Sequence, residues 1–537
     1  MERTVGEAIK KESAKSLAAN DLFEGSKFDS KKTVKSTYTE ELVIALCGPI
    51  GSPIHEVSKK LDHILKSDYN YNSKIIKLSD SISQYGEELL KKHVDPSSEF
   101  NRIKTAIDIG DELRRTHGGR FLAELAVCEI AMDRKVREAP SGKKSIIDEN
   151  KNRVCYIINS IKNPEELELL QLIYGEILFT VGVFSPIEDR VSELKSRGIE
   201  ERNVHLLIDT DSGEEISSGQ QVSEVFPLSD FFLRIDESSA SQIEEKIRRF
   251  LDLLFGTSLI TPTTAETAMH AASSAAKNSA CLSRQVGAAI ADKTGNIIAL
   301  GWNDVPKFNG GLYINIEDKN KDKRCWNYKA SECHNEKEKG IVATQVVDDL
   351  INACIIEPDK KEAAKKAIQN SARLKSLIEF SRAVHAEMHA IINAGNHSNG
   401  SLIGAKLYCT TYPCHSCARH IVAAGISEVY FIEPYRKSLA TKLHNDSLTE
   451  NEKDSKKVRL LAFEGVAPRR YHELFVANST GRKKDGKLLT YDKKSATPRY
   501  EKSVEALHVL EAIVTKALAQ NGILNINGEG HEDTIST

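Results

Sequence analysis

The first half of the chain alternates short apolar runs with stretches of helical periodicity. Residues 41–47 form a largely apolar run typical of a buried strand, and a helical pattern follows over residues 53–65. The alternation of strand and helix patterns continues at residues 177–183 and 189–194. This order predicts a doubly wound parallel sheet, with helices on both faces, over residues 40–255.

The second half opens with a hairpin and then returns to mixed strand and helix patterns. Residues 283–303 predict a β-hairpin whose turn lies at residues 293–296. After a long insertion, the pattern predicts helices at residues 381–394 and 415–424 and strands at 406–411 and 425–432. We therefore expect a second α/β domain over residues 262–476.

The two ends of the chain differ in character from these regions. Residues 1–38 are polar and rich in Lys and Ser, which predicts a flexible N-terminus. Residues 477–537 form a C-terminal extension with basic clusters near its start. We expect this extension to be partly disordered.

Length, charge and cysteine content limit the class of protein. A chain of 537 residues is long enough for two or more domains, and its formal net charge is −3. It lacks the overall basic character of nucleic-acid-binding proteins, which favours a small molecule over a polymer as its partner. It has no apolar run of transmembrane length, no signal peptide, and ten scattered cysteines. These features predict a cytoplasmic protein that does not interact with a membrane.

Three potential metal ligands and one carboxylate lie in two short motifs of the second half, His385-Ala-Glu387 and Pro413-Cys-His-Ser-Cys417. We expect His385, Cys414 and Cys417 to bind Zn²⁺ and to leave its fourth position open for water, as in catalytic zinc sites. Glu387 lies two residues beyond the histidine and is then free to move protons. This H-x-E…P-C-x-x-C pattern is the signature of zinc-dependent nucleobase deaminases.

Other zinc sites fit the motifs less well. The i, i+4 spacing of His385 and His389 is typical of a metalloprotease helix, but that motif requires Glu where Ala386 stands. A structural zinc would need a fourth ligand, and the candidates are His389, His415 and His420. The catalytic interpretation is favoured because a structural site gives Glu387 no role.

A glycine-containing loop follows the first predicted strand. Gly48-Pro-Ile-Gly51-Ser52 lies between a strand and a helix, which is the setting of a phosphate-binding loop. The loop is incomplete, because a working P-loop continues with Gly-Lys-Ser/Thr and this chain has Pro53, Ile54 and His55 there. The candidate nucleotide-binding residues of this degenerate loop are Gly48, Gly51 and Ser52.

The predicted hairpin and the zinc motif together resemble one enzyme family. Residues 283–303 are similar to the opening hairpin of deoxycytidylate deaminases, and the resemblance continues through residues 407–414 and 418–426. It implies a cytidine-deaminase-like three-layer α/β/α domain. It also implies that Asn303 contacts the sugar of the nucleotide, although an Asn that simply ends a strand explains this residue as well. The other substrate-binding residues that we expect are Ala386 and Tyr412.

Two further stretches of the first half are similar to P-loop nucleoside-monophosphate kinases. Residues 110–126 resemble the segment that frames the phosphate acceptor, and residues 154–166 resemble the next central strand with the loop that leaves it. The resemblance implies a nucleotide-kinase-like domain. Because the loop lysine is missing, a nucleotide-sensing or scaffold role is favoured over phosphoryl transfer.

A kinase-like domain fused ahead of a deaminase domain resembles the bacterial anti-phage dCTP deaminases. The similarity includes residues 463–475 near the end of the second predicted domain. It implies hydrolysis of dCTP, and of dCMP as well, to uracil nucleotides and ammonia, which would deplete the precursors of phage DNA. A homo-oligomer and an inhibitory RNA partner are further expectations that this resemblance brings.

The long insertion before the zinc motif holds a second group of candidate ligands. Cys325, Cys333 and His334 lie within ten residues, and related deoxycytidylate deaminases can carry a structural zinc in this region. A closed site would need a fourth ligand such as Cys281 or Cys354. Reduced, buried cysteines without a metal are the alternative.

Two more segments are candidates for parts of the site. A helix predicted at residues 362–380 is expected to cover its mouth. Arg469 and Arg470 are candidates for contacts with substrate phosphates, since the arginine fork matches phosphate oxygens, or else for a surface or subunit contact.

Two other functions stay open on sequence grounds. An editing deaminase acting on RNA or single-stranded DNA would use the same zinc chemistry, but it would need a basic, aromatic-lined channel. A nucleotide-binding sensor without deaminase turnover would have no use for Glu387.

Overall fold

The computed structural model describes residues 29–138, 153–211, 220–236, 240–375, 377–397, 401–434, 438–476, 482–489 and 491–524. Within these ranges the chain builds two six-stranded sheets, each centred on one half of the sequence. The predicted α/β class with parallel sheets is confirmed.

The first half forms a parallel sheet with the strand order β3-β4-β2-β5-β6. The strands of the first half, of which β1 lies outside this sheet, are β1 Tyr38–Thr39, β2 Leu42–Cys47, β3 Asn72–Lys77, β4 Val154–Asn159, β5 Leu178–Phe184 and β6 Phe231–Arg234. Its helices are α1 Ser30–Ser36, α2 Ile54–Tyr69, α3 Leu78–Leu90, α4 Glu99–His117, α5 Phe121–Glu138, α6 Pro164–Tyr174, α7 Ile187–Ser196, α8 Glu201–Asp211, α9 Val222–Val225 and α10 Ile243–Phe255. Alternate side chains of β2 enter two cores, Val43 and Ala45 against α5 and α6, and Leu42 and Ile44 against α2 and α10.

The second half forms a sheet with the strand order β8-β7-β9-β10-β12-β11, in which an antiparallel hairpin is followed by four parallel strands. The strands from here on are β7 Gly287–Ala291, β8 Ile297–Trp302, β9 Lys406–Thr411, β10 Glu428–Glu433, β11 Leu448–Thr449, β12 Val458–Ala462, β13 Gly465–Val466, β14 Lys483–Lys484, β15 Lys487–Leu488 and β16 Lys502–Ser503. The helices are α11 Thr264–Ala276, α12 His334–Asn352, α13 Lys361–Asn370, α14 Ala372–Lys375, α15 Ala386–His397, α16 His415–Ala423, α17 Ala440–Leu443, α18 Tyr471–Leu474 and α19 Val504–Gln520. Helix α11 packs on one face of the sheet, and α15 and α16 pack on the other.

The two sheets are connected by shared elements and by ion pairs. Strand β13 follows the second sheet but pairs antiparallel with β6, where it adds the sixth strand to the first sheet. Arg249 of α10 forms a bidentate pair with the buried Glu266 of α11 at 2.9 and 2.7 Å. Arg470 donates to Asp230, beside β6, at 2.8 Å.

Two helices differ from their predicted bounds. Helix α15 begins at Ala386 instead of residue 381, because the Val384 N–H donates to the Asp304 carbonyl at 2.9 Å and keeps the preceding chain extended. The helix predicted at 362–380 ends at Asn370, since Ser371 has an extended ψ of 137°, and only the short α14 follows.

The described parts of both terminal segments contain regular structure, which at residues 29–38 differs from the flexible N-terminus that the sequence predicted. Helix α1 is capped by Asp29, and β1 pairs antiparallel with β16 near the other end of the chain. Helix α19 then packs against α5 of the first half. Residues 1–28 and 525–537 lie outside the described ranges. The domain boundaries stay a prediction.

No helix in the described ranges combines the length and apolar character that a membrane crossing requires.

Candidate metal centre and substrate cavity

The three candidate metal ligands lie where two helices of the second half begin. His385 follows the bridge at Val384 and directly precedes α15. Cys414 is the N-cap of α16, and its Sγ accepts a hydrogen bond from the Cys417 N–H at 3.4 Å. Helix N-termini stabilise negative charge, so this location favours the thiolate form of Cys414, whereas burial raises the pKa of Cys417.

The donor atoms have the spacing that one zinc ion requires. His385 Nδ1 lies 3.3 Å from Cys417 Sγ and 3.4 Å from Cys414 Sγ, and the ligand atoms of all three residues lie within 4.8 Å of one another. Donors bound to one tetrahedral Zn²⁺ at roughly 2.0–2.3 Å are about 3.5 Å apart, so these residues fit the ion. Hydrogen bonds with Cys417 and His385 outweigh burial and lower the pKa of Cys414 to about 4. Within the described ranges, no other three His, Cys, Asp or Glu residues come this close.

Glu387 is a buried carboxyl next to this cluster. It lies in the first turn of α15, and its residue surface is only 4% exposed. Burial raises its pKa, and the nearby Cys414 raises it further. The carboxyl therefore has the position and the environment of a group that exchanges protons at the cluster.

A cavity of about 220 Å³ opens beside the cluster. Of the residues predicted for the site, it brings together His385, Cys414, Glu387, Asn303, Ala386 and Tyr412, whereas Cys417 is fully buried behind them. The other lining residues are Cys281, Ser283, Arg284, Val286, Asn335, Ile378, Ser381, Ala383 and Thr411. One space thus contains the cluster, the carboxyl and the candidate substrate contacts.

The side-chain amide of Asn303 ties together the two ends of the hairpin. Its Oδ1 accepts from the Val286 N–H at 2.7 Å, and its Nδ2 donates to the Arg284 carbonyl at 2.8 Å. This is the strand-ending role considered from the sequence. Each amide atom can still make one more hydrogen bond, so a contact with the substrate sugar stays a prediction.

Tyr412 and Ala386 form part of the cavity wall for different reasons. The Tyr412 hydroxyl donates to Glu450 at 2.9 Å, which fixes the ring at the wall. Ala386 lies where α15 touches β8, because a Cβ on Gly301 would lie 2.2 Å from the Ala386 carbonyl oxygen. Only a glycine at 301 lets the helix approach the strand this closely.

The histidines considered as a fourth ligand have other partners. His389 Nδ1 accepts from the Trp302 N–H at 3.1 Å, and His420 Nδ1 lies 2.7 Å from the Ser416 carbonyl oxygen. His415 Nε2 lies 3.3 Å from Glu379. None of the three belongs to the ligand cluster.

The second group of candidate ligands does not assemble into a comparable cluster. Cys325, Cys333 and His334 are all described, and they do not bring three ligand atoms within 4.8 Å of one another. Cys333 Sγ instead lies 3.5 Å from Ser283 Oγ. A second zinc and metal-free reduced cysteines both stay open as the alternatives that the sequence offered here.

The glycine loop of the first half lies outside the cavity. Gly48, Gly51 and Ser52 follow the carboxyl end of β2, and none of them is a lining residue. A Cβ on Gly48 would lie 2.1 Å from the Val183 carbonyl oxygen, and Gly51 has a φ of +84°, so both positions require glycine.

Arg469 and Arg470 are not lining residues of the cavity either. Both pair with the buried carboxylate of Asp230 of the first half, at 2.7 and 2.8 Å. The structure therefore gives them the role of a contact between the two halves of the chain, and not of a phosphate contact at the cavity.

Sequence reasoning missed several lining residues. Arg284 stands near the start of the predicted hairpin, whose other end is Asn303. A basic residue opposite the proposed sugar contact was a usable signal for a lining residue. Asn335, Ile378 and Ser381 come from the insertion, which folds back over the site. The insertion carries no motif that indicates this return.

Comparisons with known proteins match this part of the chain. Residues 262–433 match the family model "Cytidine and deoxycytidylate deaminase zinc-binding region". The deoxycytidylate deaminase of Enterobacteria phage T4 is 30% identical over 181 residues, which are 32% of this chain and 80% of that protein. A probable deoxycytidylate deaminase of Drosophila melanogaster is 50% identical over 50 residues, 9% of this chain and 23% of that protein. The crystal structure of dCMP deaminase from the cyanophage S-TIM5 with dCMP and dUMP is 20% identical, covers 38% of this chain and 99% of its own, and has a TM-score of 0.22.

Proposed function

The chain belongs to the deoxycytidylate deaminase family, and from this premise we propose that it hydrolyses the amino group of free deoxycytidine nucleotides. The proposed substrates are dCTP and dCMP, and the products are dUTP or dUMP and ammonia. The cofactor of the family region is Zn²⁺. The proposed ligands are His385, Cys414 and Cys417.

The observation that carries this proposal is the position of Glu387. Its carboxyl is buried in the wall of the same cavity that His385 and Cys414 line. A purely structural zinc site has no need of a buried carboxyl beside its ligands, whereas hydrolytic deamination needs a group that moves protons.

The chemistry divides between the metal and this carboxyl. Zn²⁺, when bound, lowers the pKa of water so that a nucleophile forms at neutral pH. The Glu387 carboxylate takes the proton of the attacking water and delivers it to N3 of cytosine. The Glu387 carboxylate then takes the proton of the hydroxyl now attached to C4 and passes it to the amino group, so that the C4=O bond forms, the C4–N bond breaks and ammonia leaves. Ala386 and Tyr412 enclose the base, and Asn303 is assigned to the sugar.

Arg284 supports a phosphorylated substrate. Among the described lining residues it is the one lysine or arginine, and its side chain is 52% exposed at the cavity. Arginine forms strong, charge-assisted hydrogen bonds with phosphate oxygens. It pairs with Glu433 here, so a substrate phosphate would share or replace that partner.

The biological role that we propose is anti-phage defence by depletion of the cytosine deoxynucleotide pool. It rests on the resemblance of the whole chain to bacterial anti-phage dCTP deaminases, with the first half as a nucleotide-sensing or scaffold domain. A cytoplasmic homo-oligomer restrained by an RNA partner belongs to the same proposal. The near-neutral lining of the cavity argues against a polymer-editing function, which would need a basic channel.

Ammonia release from zinc-loaded protein tests the proposed reaction. The protein is given dCTP, dCMP, CTP, cytidine and single-stranded oligonucleotides separately. Glu387→Ala is the blank, and Glu357→Ala, an exposed carboxylate of the insertion, is the matched control. We expect turnover of dCTP and dCMP that is lost only in Glu387→Ala. Turnover that survives in Glu387→Ala, or turnover of oligonucleotides alone, would contradict the proposal.

A further inference from the structure

The glycine loop of the first half binds a carboxylate of its own chain at the place where a phosphate-binding loop binds phosphate. The main-chain N–H of Ile50, in the middle of the loop, donates to Asp211 Oδ2 at 2.7 Å. Asp211 is the last residue of α8, and it is only 2% exposed. A loop N–H that donates to an anion is one element of phosphate-binding sites, and here Ile50 provides it.

A lysine from another segment lies beside the loop, which has no lysine of its own. Lys162 follows β4, the neighbour of β2 in the sheet, and its Nζ donates to Asp211 Oδ1 at 2.5 Å. The same ammonium donates to the Gly48 carbonyl at 3.1 Å, so it lies directly against the loop. Although Ile54 stands at the usual lysine position, the loop has a positive charge beside its amides.

An unsatisfied hydroxyl in the loop is the second, independent sign of a ligand. Ser52 is 9% exposed, and its Oγ is buried without a hydrogen-bond partner among the described residues. Leaving a buried hydroxyl without a partner is unfavourable, so buried groups of this kind usually bind a ligand or a water molecule. Helix α2, which begins just after this residue, also lacks a side-chain cap.

We propose that this loop is a binding site for the phosphates of a nucleoside triphosphate and that Asp211 keeps it closed. The incoming phosphate takes the Ile50 N–H, the Lys162 ammonium and the Ser52 hydroxyl, and the Asp211 carboxylate leaves the loop. A phosphate and the Asp211 carboxylate are both negatively charged, so they cannot both bind the Lys162 ammonium and the Ile50 N–H in a buried site. Phosphate binding and the closed arrangement therefore exclude each other.

The closed arrangement connects the loop to the following helices. The Lys162 carbonyl accepts from the Gln221 N–H at 2.7 Å, just before α9. Lys162 therefore holds the end of α8 by its side chain and the start of α9 by its main chain. Loss of the Asp211 contact releases α8 while the α9 contact stays, which gives the first half two states that a nucleotide can shift.

Calorimetric titration of the full-length chain tests the proposal. The probes are ATP, which has no cytosine for the deaminase cavity, and inorganic pyrophosphate, which separates phosphate recognition from recognition of the base. The variants are Asp211→Ala, Asp211→Asn as the milder change, and Lys162→Ala. Glu201→Ala at the exposed start of α8 is the matched control.

We expect both Asp211 variants to bind ATP with a Kd at least about tenfold lower than that of the parent chain. In these variants ATP binding does not first have to break the contacts of the Asp211 carboxylate with the loop. Lys162→Ala should lose binding, and Glu201→Ala should match the parent. Equal Kd values in the parent and the Asp211 variants would overturn the closing role of Asp211. Absence of ATP and pyrophosphate binding in every folded variant, checked by thermal unfolding, would overturn the site itself. Neither result bears on ammonia release at the other cavity, so this proposal can fail while the deaminase function stands.

Discussion

His389 Nδ1 lies 3.1 Å from the main-chain nitrogen of Trp302, one helical turn beyond the candidate ligand His385. The imidazole also stands edge-on to the Trp302 ring, with centroids 4.7 Å apart. Its Nε2 lies 3.0 Å from Asn393 Nδ2, which donates to the Leu300 carbonyl at 2.9 Å. The helix that carries Glu387 is thus fastened to β8 by polar contacts as well as by packing, and burial lowers the pKa of His389, which keeps the ring neutral.

We predict that His389→Ala lowers kcat by about 10- to 100-fold, because a small displacement of Glu387 disturbs proton transfer. The His389 side chain belongs neither to the cluster nor to the cavity lining, so zinc content and KM should change little. Ile392→Ala, an exposed position on the same helix, is the control. Parallel kcat, KM and metal measurements check the prediction, and loss of zinc together with activity would contradict a positioning role.

The metal content of variants distinguishes the two candidate zinc sites. We predict one zinc per chain, retained in Cys333→Ser and lost in Cys414→Ser, because among the residues that the structure describes only the His385 cluster has three donor atoms close enough for one ion. Elemental analysis after dialysis against a chelator measures this directly. Two zinc ions per chain, with one lost in Cys333→Ser, would instead establish the second site.

The zinc cluster could be predicted because its ligands lie in two local motifs. His385 and Glu387 are two residues apart, and Cys414 and Cys417 are three apart, so local helix geometry fixes most of the site. The strand at residues 406–411 was predicted with its observed bounds, since its apolar pattern is undisturbed.

Features that depend on distant contacts were not predictable. Asp211 accepts a hydrogen bond from the Ile50 N–H, which is 161 residues away in the sequence. No local pattern of α8 indicates that its last carboxylate contacts a loop. The late start of α15, at Ala386 instead of residue 381, depends on Asp304, which holds Val384 in an extended bridge. In α19 the charge of Glu511 interrupts an apolar face, and its partner Arg134 is 377 residues away.

Glu511 anchors the C-terminal helix in the first half. Its carboxylate pairs with the Arg134 guanidinium, which also donates to Glu41 at 2.5 Å, and it accepts from the Tyr174 hydroxyl at 3.0 Å. We predict that Glu511→Ala lowers the free energy of unfolding by about 3 kcal/mol, because it leaves part of a buried positive charge unpaired. Denaturant unfolding measures the change.

The exposed Glu505, one and a half turns earlier on the same helix, provides the control for that measurement. Glu505→Ala should change stability by less than about 0.5 kcal/mol. Equal effects of the two substitutions would mean that helix propensity, and not the buried pair, accounts for the loss.

Arg284 should determine how strongly the site prefers phosphorylated substrates. We predict that Arg284→Ala raises KM for dCMP and dCTP by about 10- to 100-fold, the loss expected for one hydrogen bond to a charged group. KM for deoxycytidine, which has no phosphate, should stay the same. Arg419→Ala, an exposed arginine of α16 that does not line the cavity, is the control.

The partner of Arg284 supplies a test of opposite sign. Glu433 competes with a substrate phosphate for the guanidinium, since it pairs with Arg284 in the structure. Glu433→Gln removes that competing charge and keeps the hydrogen-bonding capacity toward Thr411, whose hydroxyl donates to Glu433 at 3.1 Å. It should therefore lower KM for both nucleotides and leave KM for deoxycytidine unchanged. If Arg284→Ala and Glu433→Gln shift KM for deoxycytidine as much as for dCTP, Arg284 acts on the shape of the cavity and not on phosphate.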